Sequence, residues 1–175
     1  MKIGVISDTH RNVDLIEEAV DWLIRKQKIT MLYHLGDDYD DVLVLQDRYL
    51  ETVQVPGIYD ERYKNGTLPA VVTEMACGCT ITLVHCLEKD LQRQNIERSD
   101  IILYGHTHRA ELKIDNGKLY MNPGHLKGPL DKNMPPSFGV LSIDDKGIHA
   151  AIFGMDGKPV HSMTLVRSDS GLYKT

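Results

Sequence analysis

Aspartate and histidine side chains recur in this sequence directly after short apolar runs. The first case is Asp8-Thr9-His10, which follows the run at residues 2–7. An apolar run rich in β-branched residues predicts a buried strand, and residues two apart on a strand point to the same face. We therefore expect Asp8 and His10 to be able to coordinate one metal ion. Later apolar runs end at Asp37, His85, His106 and His108.

Together these six side chains offer a mixed set of nitrogen and oxygen ligands. Such a set suits Mn²⁺, Fe²⁺, Ni²⁺ or Zn²⁺ better than Ca²⁺, which prefers oxygen atoms alone. Six ligands exceed the need of one ion with open positions, so two ions that share a bridging carboxylate are the economical arrangement. Two ions about 3.5–4 Å apart turn a water between them into a nucleophile and neutralise charge on phosphate. The set is therefore typical of phosphate ester hydrolysis.

The segments between these residues predict the elements that position them. Apolar residues at helical spacing over residues 16–24 predict a helix with Asn12 as its N-cap, and residues 31–35 predict the next strand. This β-α-β order favours a parallel pair, which places Asp37 at the same sheet edge as Asp8. Further helices are predicted over residues 42–50 and 87–98. Further strands are predicted over residues 52–55, 71–76, 80–84, 101–104, 110–114, 118–121, 138–143, 148–153 and 160–166.

Composition narrows the functional classes. The 175 residues are 42% apolar and 26% charged, without repeats or linkers, so we expect residues 1–175 to form one α/β domain. A net charge of −5 argues against an extended nucleic-acid surface. The absence of a signal-peptide pattern and of a long apolar run predicts a cytoplasmic protein with no membrane partner. The late run of strands offers an edge at which a homo-oligomer could form.

The order of the motifs resembles that of the calcineurin-like metallophosphoesterases. Asp-x-His, Gly-Asp, a Gly-x-x-Asp segment, a lone His and Gly-His-x-His follow one another here as in that family. The short length and the Asn-Pro-Gly sequence at residues 122–124 are similar to the small bacterial and archaeal phosphodiesterases. The resemblance extends from Ile3 to about Ile152. It implies two packed mixed β-sheets flanked by helices, and metal-dependent phosphodiesterase or phosphatase activity on a small phosphate ester.

The resemblance also implies a role for each matching side chain. Asp37 would bridge two divalent metal ions, with Mn²⁺ expected and Fe, Ni or Zn as alternatives. The remaining ligands implied for the first ion are Asp8, His10 and His108. Those implied for the second ion are His85 and His106.

The third motif departs from the family. It normally reads Gly-Asn-x-Asp, with the Asn amide oxygen on the second ion, whereas this chain has Gly57-Ile58-Tyr59-Asp60. Ile58 cannot coordinate a metal. Three consequences are open: a water replaces the amide, Asp60 shifts to supply an oxygen, or the second ion binds weakly and catalysis is slow or lost. The last consequence leaves an alternative function, a non-catalytic protein-binding scaffold.

A second departure concerns the proton donor. The family often has an acid at the position of Tyr59, and it usually has Ser at the position of His125. His125 has two interpretations: a surface loop histidine, or a donor brought to the metals by the loop over residues 122–136. We predict two catalytic residues: His125, and Asp60 at the end of the Gly-x-x-Asp segment.

Overall fold

Two mixed β-sheets form the centre of the computed structural model, which describes residues 1–168 and 171–175. The strands of the described residues are β1 (Lys2–Ile6), β2 (Met31–His34), β3 (Glu51–Gln54), β4 (Val71–Ala76), β5 (Cys79–Val84), β6 (Ile101–Leu103), β7 (Ala110–Asp115), β8 (Lys118–Pro123), β9 (Ser137–Asp144), β10 (Gly147–Gly154), β11 (Pro159–Ser168) and β12 (Gly171–Lys174). One sheet has the order β12-β11-β10-β9-β1-β2-β3 and the other β4-β5-β6-β8-β7. The predicted class of two packed mixed sheets flanked by helices is confirmed.

The first predicted helix is present and extends beyond the predicted residues 16–24 at both ends. Helix α1 (Val13–Trp22) begins at the predicted cap Asn12, whose side chain accepts a hydrogen bond from the Leu15 N–H, and continues as a π-helical turn (Leu23–Gln27). A short helix α2 (Glu61–Lys64) follows the third motif. Within the described residues, no helix is long and apolar enough to cross a membrane.

Two helix predictions were wrong in detail. The segment predicted as a helix over residues 42–50 is a 3₁₀ helix (Tyr39–Arg48), in keeping with the low helix propensity of its Asp and Val residues. The helix predicted over residues 87–98 is two helices, α3 (Leu87–Asp90) and α4 (Arg93–Arg98). Gln92 is extended and caps α4 together with the Asn95 side chain, which interrupts the helix.

The apolar core lies between the two sheets and beneath α1. Ile3 and Val5 of β1 face Leu83 and Leu103 of the second sheet. Ile6, on the other face of β1, packs in a second cluster that includes residues of α1. Burial on both faces explains why β1 is a continuous apolar run. Each such fully buried side chain contributes roughly 1.5–3 kcal/mol.

The strand order brings four strand ends to one place. β1 and β2 are parallel neighbours in the first sheet, and β5 and β6 are parallel neighbours in the second. The Asp8 N–H donates to the Gly36 carbonyl at 2.7 Å, and the Gly105 N–H donates to the His85 carbonyl at 3.0 Å. The segments that follow these four strands carry all six predicted metal ligands.

Candidate metal centre

Four of the predicted ligands converge on one point. Asp8, His10, Asp37 and His108 each offer one ligand atom, and these four atoms lie within 4.8 Å of one another. His10 Nε2 is 2.7 Å from Asp37 Oδ2 and 3.3 Å from His108 Nε2. His108 Nε2 is 3.2 Å from Asp8 Oδ1. Two carboxylates and two imidazoles that face one another in this way form a suitable ligand set for a divalent transition-metal ion.

The backbone around this cluster turns sharply. Asp8, His10, His106 and His108 all have φ between 47° and 68°, a left-handed conformation that non-glycine residues rarely adopt. Residues in such conformations concentrate at functional sites. Asp8 is also fixed from both sheets: it accepts from the Ser7 hydroxyl at 2.6 Å and from the His106 N–H at 3.0 Å.

Two glycines permit the close approach of these loops. A Cβ atom at Gly105 would lie 2.0 Å from Ser7 Oγ and 2.9 Å from Asp8 Oδ2. A Cβ atom at Gly57 would lie 2.6 Å from the Asp37 carbonyl oxygen and 2.9 Å from Asp37 Oδ1. Any side chain at either position would therefore displace a carboxylate of the cluster. The glycines of the Gly-His-x-His and Gly-x-x-Asp motifs thus serve the cluster through their lack of a side chain.

His85 is the clearest sign that a cation belongs here. It is fully buried, and its Nδ1 lies 2.6 Å from the Leu35 carbonyl; a carbonyl only accepts, so Nδ1 carries the proton. Nε2 lies 2.9 Å from Asp37 Oδ1, yet it is a buried nitrogen without hydrogen-bond geometry to any partner. The distance fits an ion pair, but Nε2 makes no hydrogen bond to the Asp37 carboxylate. A lone pair held against a carboxylate oxygen is repulsive unless a positive charge lies between them.

The pKa shifts of Asp37 and His85 agree with a cation at this position. Burial opposes ionisation of Asp37, yet its contacts with His10 and His85 outweigh burial and hold its pKa well below the usual range. Burial likewise opposes protonation of His85, yet the carboxylates of Asp37 and Asp8 raise the pKa of its imidazole. The space beside Asp37 therefore favours positive charge, whether from a proton or from a divalent ion. The residues present fit a metal centre.

A further carboxylate orients His108. Its Nδ1 donates to Asp131 Oδ2 at 2.6 Å, so Nε2 is left to face Asp8. The Lys127 ammonium lies 2.9 Å from Asp131 Oδ1, and Lys127 and His108 together lower the pKa of Asp131 to about 2 against some opposition from burial. Carboxylate–histidine pairs of this kind fix the ring and raise its basicity as a ligand. Asp131 belongs to none of the sequence motifs, and the sequence analysis did not predict this role.

The second predicted ion site is less complete. The ring centroids of His85 and His106 are 5.2 Å apart, and burial followed by the charge of His85 lowers the pKa of His106, which favours its neutral form. Neither His85 nor His106 belongs to the four-residue ligand group identified among the described residues. Ile58 is buried and Tyr59 is 76% exposed. An apolar side chain thus stands where the family pattern has an amide ligand.

The two predicted catalytic residues both have competing partners. Asp60 lines the same cleft as His10 and Asp37, but it caps α2 and its carboxylate contacts Arg62 Nη2 at 2.8 Å. This contact with Arg62 lowers the pKa of Asp60.

His125 is fully buried, with its ring centroid 5.7 Å from that of His108. The interpretation as a surface histidine is therefore wrong, and the loop over residues 122–136 does approach the cluster. His125 Nε2 lies 2.9 Å from the Met134 carbonyl, and Nδ1 accepts from the Lys127 N–H at 3.2 Å. These two bonds define a neutral ring, and burial lowers the pKa of His125. Its role as a proton donor stays a prediction.

Comparison with known proteins places the chain in a family. The model of the calcineurin-like phosphoesterase superfamily domain matches residues 1–146, and the chain belongs to that superfamily. A phosphodiesterase from Methanocaldococcus jannaschii is 22% identical over 83% of this chain and 95% of its own length. The predicted resemblance to the calcineurin-like phosphoesterases is thereby confirmed.

Solved structures show the same fold. The phosphoesterase Yfce from E. coli superposes with a TM-score of 0.72 at 19% identity, over 93% of this chain and 98% of that chain. Vps29 from Entamoeba histolytica, in a structure complexed with Zn²⁺, superposes with a TM-score of 0.70 at 24% identity, over 94% of this chain and 99% of that chain. At these identities the likeness concerns the fold alone.

Proposed function

We propose that this chain is a metal-dependent phosphodiesterase or phosphatase. The observation that carries the proposal is the convergence of four ligand atoms within 4.8 Å, beside a buried His85 nitrogen that faces Asp37 without a hydrogen bond. The family of the chain and the phosphodiesterase from M. jannaschii support the same reaction class.

The positions of the side chains support the ligand roles that the family resemblance implies. Asp37 touches His10 through one oxygen and His85 through the other, which is the arrangement required of a bridging carboxylate. The ligands proposed for the first ion are Asp8, His10, Asp37 and His108. Those proposed for the second ion are Asp37, His85 and His106. When bound, two divalent ions, proposed as Mn²⁺, supply Lewis acidity that activates water and neutralises phosphate charge.

The proposed reaction is hydrolysis at phosphorus. A water that loses a proton to solvent forms the new bond to phosphorus through its oxygen. The bond between phosphorus and the ester oxygen breaks, and that oxygen leaves with a proton. His125 is the proposed donor. Because the ring is neutral, it must first take up a proton at Nδ1 and release the Lys127 N–H, and donation from Nε2 then requires its bond to the Met134 carbonyl to open. Asp60 would supply an oxygen to the second ion only after leaving Arg62, so we propose that solvent fills the position of the missing amide. The protein is proposed to act in the cytoplasm.

A second candidate function rests on Ile58. Its buried apolar side chain stands in place of one metal ligand of the family pattern. A weakened site for the second ion would favour a non-catalytic protein-binding role. The likeness to Vps29, a vacuolar protein sorting protein, fits this candidate. The four-residue cluster favours the enzyme, because metal-assisted hydrolysis at phosphorus requires converging ligands. Because Vps29 also forms a zinc complex, metal binding alone does not separate the two candidates, and turnover must be measured as well.

One experiment separates these two functions. The purified wild-type protein is analysed for bound Mn, Fe, Ni and Zn, and hydrolysis of bis-p-nitrophenyl phosphate is measured with added Mn²⁺. We expect two ions per chain and clear release of p-nitrophenolate. Absence of bound metal together with absence of turnover would overturn the proposed enzyme and leave the scaffold.

A further inference from the structure

Two clefts that differ in their charged lining adjoin the metal cluster. One cleft, of about 650 Å³, is lined by His106 and by the residues around it, including Arg109 and Lys132. The other, of about 690 Å³, is lined by His10 and Asp37 and by the acidic segment that follows Asp37. Both volumes are in the range that holds a small-molecule group. A phosphodiester bound at the cluster therefore has one arm available to each cleft.

The cleft beside His106 carries cationic side chains that are free to bind a ligand. Three cationic side chains and two carboxylates line it. Lys113 is paired with Glu111 at 3.0 Å. Arg109 and Lys132 therefore remain against the single carboxylate of Glu88. Within the described part of the chain, Arg109 and Lys132 take part in none of the salt bridges, and both are exposed. The Lys132 ammonium rests 3.4 Å from the Thr107 carbonyl, in the loop between His106 and His108.

Apolar side chains line the same cleft. They belong to Leu87, Cys86 and Ala110, and Cys86 is buried. A cleft lined by both apolar and cationic side chains suits a ligand arm that has an uncharged ring or chain and a terminal negative group.

The opposite cleft disfavours such an arm. Six carboxylates and two guanidinium groups line it. Its guanidinium groups are already engaged: Arg11 binds Asp38 at 3.0 Å, and Arg62 binds Asp60 at 2.8 Å. Arg62 also binds Asp40 at 3.0 Å, and Glu61 is paired with Lys64 at 2.6 Å. The carboxylates of this cleft still outnumber its cations, so an additional negative group placed there would be repelled.

We infer that the substrate is an unsymmetrical phosphate ester whose arm on the His106 side carries a second phosphate group, held by Arg109 and Lys132. This inference rests on the proposed function and names the substrate class for it. The scissile phosphate occupies the cluster, the anionic arm occupies the basic cleft, and the acidic cleft receives an uncharged arm. Because Arg109 and Lys132 are exposed, the preference for the second phosphate should weaken as ionic strength rises.

The test uses two chromogenic esters that differ by one phosphate. Thymidine 5′-(p-nitrophenyl phosphate) is compared with the same ester bearing a 3′-phosphate. We expect the 3′-phosphate to raise kcat/KM about tenfold, chiefly through KM, because one contact to a charged group is worth about this factor. In the double variant Arg109→Met/Lys132→Met the ratio should fall to about one.

The matched control replaces one arginine and one lysine that lie outside the cleft. Arg93 pairs with Glu97 and Lys158 pairs with Asp156, both at the surface, so Arg93→Met/Lys158→Met should keep the tenfold ratio. A wild-type ratio near one, with bis-p-nitrophenyl phosphate still hydrolysed, would overturn this inference and leave the proposed function intact.

If no ester is hydrolysed, a binding measurement tests whether Arg109 and Lys132 bind a second phosphate. That outcome would sink the proposed function, and calorimetry would then compare thymidine 3′,5′-bisphosphate with thymidine 5′-phosphate. Tighter binding of the bisphosphate by about tenfold, lost in Arg109→Met/Lys132→Met, would support the anionic subsite. Equal affinities would overturn it.

Discussion

Replacement of Asp37 by Asn is expected to reduce hydrolysis of bis-p-nitrophenyl phosphate by at least about 10³-fold. Asp37 is the residue whose two oxygens contact His10 and His85, at 2.7 and 2.9 Å, and an amide carries no charge with which to bridge two ions. Metal ions supply several kcal/mol of charge stabilisation in such reactions, and about 1.4 kcal/mol corresponds to a factor of ten in rate. Initial rates with saturating Mn²⁺, together with metal analysis, measure the effect.

The neighbouring aspartate provides the control for Asp37→Asn. Asp38 has the same chemistry, but its carboxylate is paired with Arg11 at 3.0 Å and lies outside the four-residue cluster. Asp38→Asn is therefore expected to keep the bound metal of the wild type. Equal metal content and equal rates in Asp37→Asn and the wild type would show that Asp37 bridges nothing.

Replacement of Ile58 by Asn is expected to strengthen the second ion site. The residue follows Gly57, which packs against the Asp37 oxygen that faces His85, and it occupies the position of the family's amide ligand. We expect the affinity for the second ion to rise by about tenfold or more, since each 1.4 kcal/mol of added ligand free energy gives a factor of about ten. Turnover at limiting Mn²⁺ should rise with it. A titration of activity against Mn²⁺ concentration measures both.

The stability of the Ile58→Asn variant tests independently whether the new Asn side chain binds the second ion. Ile58 is buried, so an unpaired Asn there should lower the free energy of unfolding of the metal-free protein by about 1–3 kcal/mol. Mn²⁺ should restore much of that loss, because a ligand that binds the folded state stabilises it. Ile58→Leu, which adds no oxygen, is the control and should leave the Mn²⁺ titration unchanged. A loss of stability that Mn²⁺ does not reverse would contradict a ligand role at this position.

The ligand set was accessible from the sequence because it depends on strand ends. Asp8 and Asp37 follow apolar runs that pair as parallel strands, and parallel strands end at one edge. The helix cap at Asn12 was predictable for a similar reason, since it depends on a local hydrogen bond. These features are local or periodic, and a single sequence contains the information needed to predict them.

Contacts made across the fold were not accessible in this way. Asp131 lies 23 residues from its partner His108, in a loop without periodicity, and its approach depends on how that loop folds back. The burial of His125 has the same origin, because the Met134 carbonyl that holds it belongs to that loop. The interruption between α3 and α4 is local, but it was missed because the cap formed by Gln92 and Asn95 competes with an otherwise continuous helical pattern.

The central claim is that a metal ion binds where Asp8-Thr9-His10 meets Asp37 and His108. The most direct test is a crystal structure of the protein grown with Mn²⁺, with an anomalous difference map recorded at the manganese edge. We expect a strong peak within coordination distance of the ligand atoms of Asp8, His10, Asp37 and His108. A map with no peak between these four side chains, at full Mn²⁺ saturation, would contradict the claim.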